Sequence, residues 1–147
     1  MYRRILLPID GSPVSRKAVK QGIAFAKSVG ATVVGFFSPL DYRSVVYSEY
    51  IPAVYVSQKE FDVQIRQVAE KQLRTVRTAA TAAGVPYEEF YEASMAPWEA
   101  IIAAAKKKKC DLIFMGSHGR SGLTAVILGS QTSKVLTHSK IPVLVTR

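Results

Sequence analysis

Apolar residues in this chain come in two alternating rhythms. Short unbroken runs, Arg4-Ile-Leu-Leu-Pro-Ile9, Thr32-Val-Val-Gly-Phe-Phe37 and Asp111-Leu-Ile-Phe-Met115, have the length and branching of buried strands. Between and after them, apolar positions recur at helical spacing. Ser12 reads as an N-cap and Pro13 as the first helical residue. Val14, Ala18, Gly22, Phe25, Ala26 and Val29 then form one stripe, and Gly30 closes the helix. From Lys59 to Ala83 a second stripe runs through Phe61, Ile65, Val68, Leu73, Val76, Ala80 and Ala83, until Gly84-Val-Pro86 stops it. Tyr87-Glu-Glu-Phe-Tyr-Glu92 is a more polar strand. A third helix is expected from Pro97 to about Lys108, although Ala96 is a poor cap. Leu112 to Met115 is the fourth strand, a broken helical stretch covers Leu123 to His138, and Pro142-Val-Leu-Val-Thr146 is the fifth strand, with proline at its tolerated first position.

Strands alternating with helices predict a parallel sheet covered on both faces. The polar third strand suits an edge, and the apolar first, second and fourth suit the centre. Right-handed crossovers then give an α/β, doubly wound five-stranded sheet of order 3-2-1-4-5. With no internal repeat or linker, residues 1–147 are expected to form one domain. Strands 1 and 4 flank the switch point, where a ligand crevice is expected. Asp10 and Gly116 lie just past the carboxyl ends of those two strands.

Gly116 also opens a frame, Gly116-Ser-His-Gly119, nine residues, then Gly129-Ser130. Glycines let backbone N–H groups approach an anion closely, and Ser130 to Leu136 reads as a helix whose N-terminus offers unpaired donors. Other nucleotide motifs are absent. There is no G-x-x-x-x-G-K-[ST], no G-x-G-x-x-G after the first strand, no G-x-S-x-G, and no cluster of His and carboxylates at metal spacing.

Composition narrows the class further. Hydrophobic residues make up 48%, which fits a globular fold, and no apolar run approaches membrane-spanning length. The expectation is a soluble cytoplasmic protein. The single Cys110 excludes an internal disulfide and reads as a small half-buried residue. The formal charge is +9, but Lys106 to Lys109 end a helix, where cations favour the dipole, and lack interleaved aromatics. A nucleic-acid binder is therefore the weakest reading.

The segment from Met115 to Leu123, Leu128-Gly-Ser130, the ending Ile141-Pro-Val-Leu-Val145 and the opening Ile5-Leu-Leu-Pro-Ile-Asp-Gly-Ser12 together resemble the universal stress protein family, in its ATP-binding branch. The resemblance covers the whole chain, and the glycine frame is specific to that branch. It implies an ATP-binding, Rossmann-like domain. Asp10 would contact the ribose hydroxyls, and Pro8 would shape the strand end. Backbone groups near Phe37 would read the adenine edge, with Met115 packed nearby. Gly116 and Gly119 would line ribose and phosphates. Gly129, Ser130 and the N–H of Gln131 would hold the phosphates, with Mg or Mn bridging their oxygens. Phe37 is bulkier than the aliphatic residue usual there and could narrow the adenine slot. The family also implies a homodimer, and the apolar edge of Val143, Leu144 and Val145 suits one.

Several residues carry a plainer alternative. Asp10 could cap the first helix, although Ser12 is available for that. His118 reads as a turn residue. Arg120 either neutralises phosphate or pairs with a carboxylate. His138 is explained by a helix C-terminus, and Phe36 and Phe37 as core. The segment Ser38 to Gln58, with Tyr42, Tyr47, Tyr50 and Tyr55, is long for a connection and suits a lid, a dimer contact or a loop packed on its own tyrosines. No general base or water-positioning residue is legible, so the expectation is a stress-response regulator or sensor with at most slow ATP hydrolysis. The alternative is a nucleotide-free dimeric interaction protein of the same fold. The stress and the downstream protein partner are not legible.

Overall fold

The computed structural model describes residues 1–42, 57–117 and 128–147. Its elements in chain order are β1 (Arg4–Pro8), α1 (Pro13–Val29), β2 (Thr32–Phe37), α2 (Gln58–Ala83), β3 (Tyr87–Tyr91), α3 (Pro97–Lys107), β4 (Leu112–Gly116), α4 (Ser130–His138) and β5 (Val143–Thr146). The sheet is parallel throughout, in the order β3-β2-β1-β4-β5 that the alternation of runs predicts.

Successive side chains of a strand point to opposite faces, and β1 and β2 bury both. Ile5, Leu7, Ile9, Val33 and Phe37 face α1 and α2 in one cluster. Leu6, Val34 and Phe36 join Ile101, Ile102, Ala105 and Val135 of α3 and α4 in the other. Such runs leave no polar face, which is why they read as unbroken apolar segments. Asp111 latches the central strands at their start: Oδ2 accepts the N–H of Arg3 at 2.8 Å and Oδ1 that of Arg4 at 3.0 Å. The polar β3 is an edge, where its outward carboxylates pair with cations: Arg4 with Glu88 at 3.0 Å, and Arg77 with Glu89 at 2.5 Å.

The helices start and stop largely where local signals place them. Ser12 Oγ accepts the N–H of Ser15 at 3.1 Å, and Gly30 ends α1 in the left-handed region. The buried face of α1 differs from the expected stripe. Ser15, Val19 and Ile23 are buried with Ala18, Gly22 and Ala26, whereas Val14, Phe25 and Val29 lie at its margin. The α2 start lies one residue earlier than expected, because Ser57 and Glu60 form a reciprocal capping box. Cys110 is fully buried rather than half-buried, at 5% exposure, and burial pushes its thiol up to about 11. Such a thiol is protonated and inert at neutral pH.

Among the described residues no helix is long and apolar enough to cross a membrane. Gly119, His118 and Arg120, the start of the predicted helical stretch at Leu123, and Tyr47, Tyr50 and Tyr55 lie outside the described residues.

Candidate functional site

A cavity of about 530 Å³ opens at the carboxyl ends of β1, β2 and β4. Pro8, Ile9 and Asp10 line it from β1, Phe36 to Leu40 from β2, Met115 and Gly116 from β4, and Ser130 to Thr132 from α4. The sheet order brings them together, since β1 and β4 are neighbours whose following helices lie on opposite faces.

Asp10 does not cap α1. Its Oδ1 accepts the N–H of Ser12 at 2.9 Å, a short turn that leaves Ser12 to cap the helix. Gly11 sits between them at φ +81°, and a Cβ there would lie 2.6 Å from Gln72 Oε1 of α2. The positive φ is what favours glycine at this position, since the flexible end of Gln72 could move aside. The turn holds the Asp10 carboxylate at the cavity wall.

Gly116 has a packing reason to be glycine. A Cβ on it would lie 2.9 Å from Val14 Cγ1 and 3.3 Å from the Val14 carbonyl. The first turn of α1 packs directly on the end of β4, so Gly116 lines the cavity because the helix must approach it. Beyond it, Thr132 Oγ1 donates to the Gly116 carbonyl at 2.9 Å, and the Gly129 N–H donates to the Ser117 carbonyl at 2.8 Å. Gly129 is the N-cap of α4, and its own N–H is thus already used. The donors that α4 turns toward the cavity come from the following residues, starting at Ser130.

Phe37 lines the cavity while most of its bulk is spent in the core. The residue is 2% exposed and packs in the α1–α2 cluster, while its carbonyl accepts the N–H of Glu92 at 3.2 Å. Phe36 is core on the other face, 5.0 Å from the Phe90 ring. Met115 is also buried there.

Two features escape a sequence reading. The first is the N-terminal half of α2. Phe61, Ile65 and Val68, expected to face core, line the cavity instead, and Val68 is 42% exposed. Tyr42 packs edge-on against Phe61 at 5.1 Å. The second is Gln131. Its side-chain Oε1 accepts the N–H of Trp98 at 3.1 Å and so supplies α3 with the cap that Ala96 cannot. Trp98 in turn lies 4.6 Å from the His138 ring, whose Nδ1 is 2.8 Å from the Lys134 carbonyl. His138 thus ends α4, as its position suggests, and also joins α4 to α3. Among the described residues no group of three metal-ligating side chains occurs.

The family model described as the universal stress protein family matches residues 1–147. Universal stress protein MJ0531 of Methanocaldococcus jannaschii is 33% identical over all of this chain and 83% of its own length. A Thermus aquaticus universal stress protein is 32% identical over the whole of both. Among solved structures, hypothetical protein MJ0577 superposes with a TM-score of 0.81 at 27% identity, covering 99% of this chain and 96% of its own. A universal stress protein in complex with cAMP (TM-score 0.69, 24% identity, 99% and 97% covered) and one from Archaeoglobus fulgidus in complex with dAMP (TM-score 0.66, 16% identity, 99% and 98% covered) share the fold. With a matching model from end to end and relatives above 30% identity over the whole chain, this protein belongs to the universal stress protein family.

Proposed function

We propose that this chain binds ATP in the cavity at the carboxyl ends of β1 and β4 and acts as a stress-response regulator or sensor. The observation that carries the reading is the convergence, in one space of about 530 Å³, of an acid, an apolar wall and a helix N-terminus. Asp10 would accept from the ribose hydroxyls, beside Pro8. The backbone after Phe37 would meet the adenine edge, between Met115 and the Ile65–Val68 wall of α2. Gly116 would underlie the ribose. Ser130 and the N–H of Gln131 would face the phosphates across the Gly129 N-cap, with Mg or Mn bridging phosphate oxygens. Gly119 belongs to the same frame. Two relatives of this fold carry adenine nucleotides, cAMP and dAMP, which supports adenine as the base. A regulator rather than a fast enzyme fits because hydrolysis needs a group that orients water, and none is assigned among the cavity residues.

Titration calorimetry with ATP and GTP, alongside mass spectrometry of protein as purified, tests this. ATP is expected to bind more tightly than GTP, and Asp10→Ala to weaken ATP by one charge-assisted hydrogen bond, roughly 1.5–3 kcal/mol. Equal affinity for both nucleotides would remove adenine selectivity, and no binding of either would refute the site.

The second reading, a nucleotide-free dimeric interaction protein, draws on β5. It is bonded to β4 on one side only, and Val143, Leu144 and Val145 are partly exposed. A two-fold axis perpendicular to the sheet would pair two such edges antiparallel. Sedimentation at micromolar concentration should give a dimer, weakened in Leu144→Lys. A monomer with and without ATP would exclude β5 pairing and leave the nucleotide site untouched.

A further inference from the structure

A second groove, of about 670 Å³, runs along the seam between α1 and α2, on the outer surface of those helices. Arg16, Lys17 and Lys20 line it from α1, and Lys71 and Arg74 from α2, with no acidic residue among its lining. Ala79 and Ala82 supply its accessible apolar part, whereas Val19 beneath them belongs to the core.

Among the described residues no ion pair balances these cations. The ion pairs among the described residues engage Arg4, Arg77, Lys107 and Lys108, and none uses a groove cation. Glu70, the carboxylate beside Lys71 in sequence, is held by Arg77 at 3.1 Å. α1 contains no acidic residue at all. Arg16 and Lys17 moreover stand near the N-terminus of α1, where the helix dipole disfavours positive charge. Arg16 has a local reason, since its guanidinium donates to the Gly11 carbonyl. Lys17, Lys20, Lys71 and Arg74 make no ion pair among the described residues.

We propose that this groove docks an acidic, amphipathic segment of a partner protein. Its carboxylates would meet the five cations, and its apolar face would lie on Ala79, Ala82 and the aliphatic stems of the lysines. The groove's chemistry favours protein over nucleic acid. Single-stranded nucleic acid is held by aromatic platforms as well as cations, and no aromatic side chain lines this groove. Ala79 and Ala82 between the cations have no use for a phosphate backbone but suit a helix or strand with one oily face. The proposal stands whatever the cavity beyond β1 and β4 binds.

The test uses the full chain and a fluorescein-labelled helical peptide with glutamates on one face and leucines on the other, read by anisotropy at 0.15 M salt. At that ionic strength charges further apart than about 8 Å are largely screened, so diffuse attraction contributes little. Lys17→Glu/Lys20→Glu, and separately Lys71→Ala/Arg74→Ala, are expected to lower the affinity at least about tenfold. Lys106→Glu/Lys140→Glu, exposed on the opposite side, moves the formal charge from +9 by as much as the first pair and should leave binding unchanged. Amide shifts at Thr75, Thr78 and Ala79 on titrating wild-type protein should locate the peptide without any mutation. Equal loss in the Lys106/Lys140 variant, or shifts elsewhere, would overturn the proposal. So would tighter binding of an oligothymidylate probe that the groove variants abolish, which would make this a nucleic-acid site.

Discussion

The two halves of α2 have the same apolar periodicity and opposite fates. In the C-terminal half, Ala69, Leu73, Val76 and Ala80 are buried against β1, β2 and α1. In the N-terminal half, Phe61, Ile65 and Val68 continue the stripe but line the cavity. The difference lies in what stands opposite. The sheet lies under the second half, whereas the first half stands beside the carboxyl ends of the strands, over the cavity there. Periodicity therefore reports which face of a helix is apolar, not what covers it. An apolar stripe that outruns its sheet is itself a pointer to a ligand.

The sharpest way to break this comparison is to truncate one residue in each half. Leu73→Ala should cost about 2–5 kcal/mol in chemical denaturation, the range for a buried leucine. Ile65→Ala should cost under about 1 kcal/mol without ligand, closer to a surface change, yet weaken ATP binding several-fold. Equal costs would mean both halves are core. A variant of Ile65 that binds ATP normally would detach this wall from the site.

Gly116 on the far wall gives the next largest effect. If packing of α1 rather than a ligand requires glycine, Gly116→Ala should destabilise the nucleotide-free protein by roughly 1–3 kcal/mol, because Val14 must move. Unchanged stability with lost ATP affinity would instead return Gly116 to the phosphate or ribose.

The smallest effect concerns acid. Burial raises the Glu89 carboxyl, but hydrogen bonds from Arg77 and Tyr87 outweigh it and hold the group below its ordinary 4.5. A depressed carboxylate stabilises the fold fully above its unfolded value, and that contribution is lost as pH falls through the depressed one. Stability should thus decline below about pH 4.3, and Glu89→Gln should flatten that decline while lowering stability slightly at pH 7. A parallel decline in both proteins would show that Arg77 and Glu89 do not tie the buried half of α2 to β3.

Much of this fold is legible because its signals are local. Pro13, Gly30 and Gly84 mark helix ends within a residue, and the unbroken runs of β1, β2 and β4 give the order of the sheet. The Ser57–Glu60 capping box is equally local, but the apolar spacing alone starts α2 at Lys59, one residue late. Which α1 residues are buried is less legible. Gly22 faces Leu7 and Phe114 closely enough to draw the helix onto the sheet, and this rotates Val19 and Ile23 inward. At the site, Asp10 and the α4 N-terminus follow from topology. The steric need for Gly116 and the side-chain role of Gln131 do not, because each depends on a partner distant in sequence that only the packed chain supplies.

That last dependence bears on cooperativity. α1 and α2 carry their start signals within three residues, so either can begin to form by itself. α3, 11 residues long, is too short to persist alone, and its cap comes from Gln131, 33 residues onward. Glu99 and Ala100 close its first turn locally on the Ala96 carbonyl, but the N–H of Trp98 gains its partner only once β4 is paired and α4 has docked. In native-state hydrogen exchange the amide of Trp98 should therefore open together with α4, as one unit of local unfolding, and not with the rest of its own helix.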